Sequence, residues 1–220
     1  MKNTIAIILC KGNSKGVKNK NIKKFLNKPL MYWTIKSLKE SNIIKEIYIS
    51  SESNQILHYA KKQKIIGIKR PKNLTLPRSQ SEEAILHAIK NIKSDFDNIV
   101  FPQVTSPLRP KNIFDKSLNY FFKKKYDSLF SSNIPSKIFL WEDNKKLKPM
   151  YNVNKRPMRQ DIKKTYLENG SFYIFKKKGF IKSGNRLFGK IGTYLVDKKF
   201  SYDIDEEIDF KINEIVKKNL

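Results

Sequence analysis

Residues 4–10 read TIAIILC and run directly into KGNSKG, residues 11–16, with an amphipathic segment over 31–41 beyond them. A β-branched apolar run, a polar loop holding two glycines, and apolar residues at helical spacing make a strand, a loop and a helix. This opening decides the fold because the order then recurs. Strands are predicted over residues 46–51, 65–69 and 98–102, and helices over 54–63 and 81–92. The second of these helices carries Ala84, Ile85, Ala88, Ile89 and Ile92 on one face. A helix over 110–124, opened by Pro110, and a strand over 127–132 continue the alternation. The expected fold is α/β, a doubly wound, mostly parallel, Rossmann-like sheet.

Residues 133–167 break the rhythm with short apolar bursts, many charges and Pro135, Pro149 and Pro157. They read as an inserted hairpin or arm, with a contact between two subunits expected there. Strands over 170–175 and 190–196 and a closing helix over 206–218 restore the alternation. In that helix Ile208, Ile212, Ile215 and Val216 are expected to face the sheet.

A chain of 220 residues fits one domain, 1–220, and can bury a core without disulfides or a structural metal. Its single cysteine, Cys10, excludes an intrachain disulfide and a cysteine metal cluster. The first apolar run is too short for a signal peptide or a membrane span, so the expectation is a cytoplasmic protein with no membrane partner. Lysine and arginine total 46 against 20 acidic residues, a net charge of +26 that would attract any polyanion. A nucleic-acid-binding protein is therefore the rival reading. The lysines are scattered through every segment, however, with no basic tail and no nucleic-acid motif, which favours a solvated basic surface.

Three stretches can carry chemistry. In Lys11-Gly12-Asn13-Ser14-Lys15-Gly16 the glycines let backbone N–H groups approach a phosphate and Lys15 can offset its charge, although the spacing is not that of a Walker loop and also suits an ordinary turn. Gln103-Val104-Thr105-Ser106-Pro107-Leu108-Arg109 leaves the C-terminal end of a predicted strand, where ligands of open α/β sheets bind. Asp203 and Asp205, two apart in Tyr202-Asp203-Ile204-Asp205, share one side of an extended segment and can hold one Mg²⁺, or Asp205 can serve the following helix as a cap. His58 and His87 have no partners at ligand spacing and read as structural.

In this order the pieces resemble the acylneuraminate cytidylyltransferase family across nearly the whole chain. The start, IILCKGNSKGVKNKNIKKFLNKPL, is similar to that family's nucleotide loop, which ends at an Asn, here Asn21, before a KPL turn. Lys11 stands where the family usually has arginine, and Asn13 where it usually has glycine. Arg70-Pro71 and residues 79–87 resemble the segment that holds the cytidine, which implies a base or ribose role for Arg70 and Ser81. Residues 103–109 resemble the family's Q-P-T-S-P-L-R, with Val104 replacing a proline. Arg159-Gln160-Asp161 and Glu168 through Tyr173 are similar to the stretch that meets an acidic sugar.

By that resemblance Lys11, Gly12, Asn13, Ser14, Lys15, Gly16 and Asn21 bind CTP. Gln103, Lys137, Arg159, Asn169 and Tyr173 meet the sugar, with Lys137 reaching over from a partner subunit of a homodimer. Asp203 and Asp205 ligate Mg²⁺, and Lys15 and Gln103 assist the reaction. The activity implied is transfer of CMP from CTP to the anomeric hydroxyl of a nine-carbon acidic sugar such as N-acetylneuraminate, with release of pyrophosphate. Legionaminate, pseudaminate and 3-deoxy-octulosonate are alternative acceptors.

Overall fold

The computed structural model describes residues 3–12, 16–76, 78–135, 139–143, 146–158 and 164–220. Four parallel strand–helix–strand crossovers are visible in the element order. Strand β1 (Thr4–Leu9) is followed, after a short β2–β3 hairpin (Lys24–Phe25 and Lys28–Pro29), by helix α1 (Leu30–Lys39). Then come β4 (Ile44–Ser51), α2 (Asn54–Lys62), β5 (Ile66–Lys69), α3 (Ser81–Lys90), β6 (Asn98–Pro102), α4 (Ile113–Lys123) and β7 (Ser128–Asn133). The arm contributes β8 (Trp141–Asp143) and β9 (Leu147–Pro149), and the chain closes with β10 (Leu167–Lys176), α5 (Lys177–Ser183), β11 (Ile191–Leu195) and α6 (Glu207–Lys218).

Seven strands form one sheet in the order β11-β7-β10-β6-β1-β4-β5. Every neighbouring pair is parallel except those made by β10, which runs antiparallel between β6 and β7. The mostly parallel, Rossmann-like sheet expected from the alternation is present. The strand order reverses between β1 and β6, so their C-terminal ends frame the crevice where such sheets bind ligands.

Both faces of the sheet are covered, which is why β1 is apolar at consecutive positions. Ile5 and Ile7 turn to one side, where Ile85, Ala88 and Ile89 of α3 and Phe180 of α5 pack. Ala6, Ile8 and Cys10 turn to the other, against α1, α2, α4 and α6. Each fully buried Ile of this set contributes about 1.5–3 kcal/mol of transfer free energy. Burial also pushes the Cys10 thiol up to about 12, partly offset by Arg70, so it is an inert core residue.

Local chemistry sets the helix ends. Ser53 accepts a hydrogen bond from the Ile56 N–H at the start of α2, and Glu206 and Asp209 form a reciprocal capping box on α6. The buried stripe of α6 is not the predicted one. Ile208, Ile212 and Ile215 are 54%, 39% and 62% exposed, whereas Phe210 and Asn213 are buried and only Val216 of the expected set packs on the core. The capping box fixes the helix start, Phe210 meets Phe25 edge-on, and Glu214 accepts from the Leu26 N–H, which together rotate the isoleucines outward.

The break over 133–167 is real: β7 ends at Asn133, β10 begins at Leu167, and β8 pairs antiparallel with β9 between them. Phe139, Trp141 and Tyr151 gather on this hairpin with the Arg156 guanidinium 4.0 Å from the Phe139 ring centre. Leu140, Trp141, Leu147 and Met150 are exposed.

Candidate active site

The cleft opens at the reversal point and holds about 180 Å³. Leu9 and Lys11 come from the end of β1, Gln103 and Thr105 from the end of β6, and Ser81 from the first turn of α3. Lys20, Asn21 and Arg70 complete the polar wall. Five residues singled out by the sequence, Lys11, Asn21, Arg70, Ser81 and Gln103, are thus brought together from five separate segments.

The polar groups of this wall also hold its backbone. Asn21 donates from Nδ2 to the Lys11 carbonyl at 2.7 Å, and the Gly12 N–H donates to Glu52 Oε1 at 2.6 Å. Glu52 in turn pairs with the buried Arg70 guanidinium at 3.3 Å, and Arg70 donates to the Cys10 carbonyl at 3.2 Å. The Arg70 Nε–H is buried without a partner among the described residues. Lys11 donates to the Leu76 carbonyl at 3.3 Å. A Cβ on Gly12 would lie 2.8 Å from Cβ of Ser53, so glycine is required for the loop to approach α2 this closely.

Asp203 and Asp205 are exposed while Ile204 between them is fully buried, which puts both carboxylates on one side as the spacing predicts. Ser106 Oγ donates to Asp203 at 3.2 Å. The nearly buried Lys20 ammonium lies 3.2 Å from Asp205 and 2.7 Å from the Ile204 carbonyl. A Cβ on Gly16 would stand 2.6 Å from the Asp205 carbonyl oxygen, so only glycine lets this loop touch the aspartate segment. The helix cap is Glu206, one residue after Asp205, which leaves the Asp205 side chain outside the capping box.

Gln103 is pinned through its backbone. Its N–H donates to the Ser171 carbonyl at 3.0 Å, and its carbonyl accepts from Arg109 at 2.6 Å. Arg109 also reaches Thr34 and the Ser171 carbonyl, joining α1, β6 and β10 beneath the cleft. Burial lowers its pKa to about 9, against the opposing effect of Asp203, yet three donated hydrogen bonds and the intrinsic basicity of a guanidinium keep it charged at neutral pH.

Behind the cleft wall β10 carries a bulge. Glu168 faces Ser132 and Tyr173 faces Phe130, so five steps along β10 accompany two along β7, with Gly170 at φ +68° inside the bulge. The bulge brings Glu168 back to accept a hydrogen bond from the Tyr173 hydroxyl. Burial first, and this carboxylate second, raise the Tyr173 pKa. Tyr173 stacks on Phe101 of the cleft wall, so it stands behind the wall, and Asn169 binds Ser131 and Ser201. Arg186 lies over both the Phe101 and Tyr173 rings and pairs with Glu82 of α3 at 2.7 Å.

Asn13, Ser14, Lys15, Lys137 and Arg159 lie outside the described residues. Among the described residues no three His, Cys, Asp or Glu side chains gather as a metal site. Two carboxylates nevertheless suit Mg²⁺, which takes one or two from protein and the rest of its shell from water and phosphates. Sequence pattern does not single out Lys20 among 46 basic residues, nor Glu52, whose partners are 40 and 18 positions away. No helix among the described residues is long and apolar enough to cross a membrane.

The chain is 34% identical over 195 residues to N-acylneuraminate cytidylyltransferase A of Danio rerio, covering 83% of this chain and 44% of that protein. It is 30% identical to a pseudaminic acid cytidylyltransferase of Campylobacter jejuni, covering 83% and 82%. It therefore spans less than half the length of the first relative and most of the second. Its fold matches that of a CMP:2-keto-3-deoxy-manno-octonic acid synthetase complexed with CTP, with a TM-score of 0.75 over 99% of both chains at 8% identity. The cytidylyltransferase family profile matches residues 5–218, nearly every element of the sheet and its cleft, and the chain belongs to that family.

Proposed function

We propose that this protein transfers CMP from CTP to the anomeric hydroxyl of a nine-carbon acidic sugar and releases pyrophosphate. The observation that carries the reading is the meeting of the glycine loop with Asp203-Ile204-Asp205 at the reversal point of the sheet, inside a family whose relatives are named for this chemistry. CTP would lie along residues 11–16, with its base toward Ser81 and Arg70. The unpartnered Nε–H of Arg70 supports that orientation, since a cytosine or ribose oxygen would satisfy it.

The sugar hydroxyl oxygen forms a bond to the α-phosphorus as the bond to the bridging oxygen breaks, and the hydroxyl proton leaves to a base. Positioning and charge stabilisation supply most of the acceleration. Mg²⁺ held by Asp203 and Asp205 would offset charge developing on the pyrophosphate. Lys20 orients Asp205 and supplies a fixed positive charge at the junction, and Lys15 is assigned to the phosphates. Gln103, its backbone fixed on both sides, presents its amide to the acceptor. Arg159 is assigned to the sugar carboxylate, because its planar fork makes bidentate bonds to such a group. Asn169 and Tyr173 shape the acceptor side, the latter from behind Phe101.

The exposed aromatic arm supports a homodimer in which Lys137 serves the partner's cleft, and the chemistry suits the cytoplasm, where CTP is found. The test is pyrophosphate release with Mg²⁺, comparing CTP with ATP, GTP and UTP, and N-acetylneuraminate with legionaminate, pseudaminate and the eight-carbon acid. Release confined to CTP and a nine-carbon acid is expected. Asp203→Ala and Asp205→Ala should each reduce turnover more than tenfold with the fold intact. Silence across the panel, or near-normal turnover in both variants, would overturn the reading.

A further inference from the structure

The loop between α5 and β11 presents one arginine to the back of the cleft. Gly184 ends α5 at φ +67°, Asn185 Oδ1 accepts from the Leu187 N–H at 3.0 Å, and Phe188 exchanges two hydrogen bonds with the Ser128 hydroxyl, at 2.8 and 2.9 Å. The side chains of Leu187 and Phe188 pack on the core. Arg186 is therefore held through its neighbours on both sides.

Its guanidinium touches three elements. Nε donates to Glu82 Oε1 at 2.7 Å in the first turn of α3, and the guanidinium centre lies 5.0 Å from the Phe101 ring of β6 and 4.9 Å from the Tyr173 ring of β10. The two rings stack with 6.0 Å between centroids and 23° between planes, so the cation closes a triangle with them. The Arg186 and Glu82 side chains are only 16% and 19% exposed. At that burial the pair escapes most of the solvent screening that makes surface ion pairs weak, and a planar fork against two rings fixes direction as well as charge.

The place of this contact gives it a role. Ser81, next to Glu82, and Ala84 line the cleft from α3, and Phe101 lines it from β6, while Arg186 is absent from the lining among the described residues. Ile85, Ala88 and Ile89 hold α3 on the sheet by apolar packing, which is non-directional. The ion pair adds a directional tie at the end of the helix that borders the cleft. We propose that Arg186 is a positioning residue for CMP transfer: through Glu82 and the Phe101 and Tyr173 rings it fixes the nucleotide wall on α3 against the acceptor wall on β6 and β10, without touching either substrate. The proposal rests on the assignment of CTP and the acidic sugar to this cleft.

The test is the single-turnover rate at saturating CTP and saturating N-acetylneuraminate, legionaminate or pseudaminate, whichever the parent uses, together with KM for each substrate. The rate is taken per CTP-binding site counted by calorimetry, well below the thermal midpoint of every variant. Arg186→Met should lower it about tenfold with both KM values within threefold of the parent, because each wall still binds its own substrate and only their alignment is lost. Glu82→Gln combined with Arg186→Met leaves no unpaired buried charge and should show the same loss with no further one. Arg186→Lys keeps a cation beside Glu82 and should recover the rate to within about threefold of the parent. Lys176→Met breaks the pair with Asp127 at the last residue of β10, beside the start of β6, and should leave the rate within twofold whatever it does to the midpoint. An active parent whose Arg186→Met rate stays within twofold, a loss seen only as a higher KM for one substrate, or a tenfold loss in Lys176→Met as well would each overturn the positioning role alone. A parent silent with all three acids would overturn the reading of the cleft, and this role with it.

Discussion

The cleft and the arm treat their side chains in opposite ways. In the cleft, Lys20, Asn21, Glu52 and Arg70 are polar, largely buried and bonded to the protein's own backbone or to one another. On the arm, Leu140, Trp141, Leu147 and Met150 are apolar and exposed. A buried polar network fixes geometry, because each member is expensive to release. An exposed apolar cluster fixes nothing by itself and gains free energy only when another surface covers it. The cleft is therefore held as a frame by contacts within one chain, while the arm leaves apolar surface that only a further surface would cover.

Gly16→Ala is the largest test of the frame. The added methyl would sit 2.6 Å from the Asp205 carbonyl, so the loop and aspartate segment must separate, and a shift of that size costs about 10- to 100-fold in turnover. Steady-state pyrophosphate release and an unchanged thermal midpoint would together locate the loss in geometry. A variant with parental turnover would show that the contact does not position the reacting groups. Glu52→Gln comes next. It keeps an acceptor for Gly12 but removes the charge facing buried Arg70, and KM for CTP should rise roughly fivefold, with KM for the sugar little changed.

For the arm, Trp141→Asp combined with Leu147→Asp should turn a dimer into a monomer by light scattering while leaving the thermal midpoint within a few degrees, since both side chains are exposed. A parent that is already monomeric would break the contrast. The smallest effect concerns pH. Glu82 is pulled below the usual carboxylate range despite its burial, because Arg186 donates to it and lies beside it. A lowered folded pKa gives stability that is present above the unfolded value, about 4.3, and lost as pH falls through the folded one. Arg186→Met leaves burial unopposed, which raises the pKa and reverses the sign. The gap in thermal midpoint between parent and variant should be widest near pH 7 and close below about pH 4.

Much of this was legible in the chain. The strand that opens the chain at residue 4, the alternation to residue 132, the interruption after it and the outward pair Asp203 and Asp205 all follow from apolar period and turn chemistry. The phase of α6 did not, because four isoleucine and valine positions suggest a stripe that the capping box and Phe210 override. Tyr173 reads as a lining residue, yet a bulge with no strong local signal other than Gly170 turns its hydroxyl to Glu168. Lys20 and Glu52 act through partners far away in sequence, and local pattern contains no information about such pairs.

Gly16 against Asp205, and Lys20 against Ile204, join segments about 185 residues apart. Such a junction cannot form early. A growing chain presents the glycine loop long before residues 203–205, so a nascent chain lacking them has no such junction however well its sheet has begun to fold. Closing so long a loop is also slow, as contacts of high sequence separation are. The junction therefore forms as one late event, and a chain cut ahead of residue 203 would lack it while keeping all seven strands of the sheet.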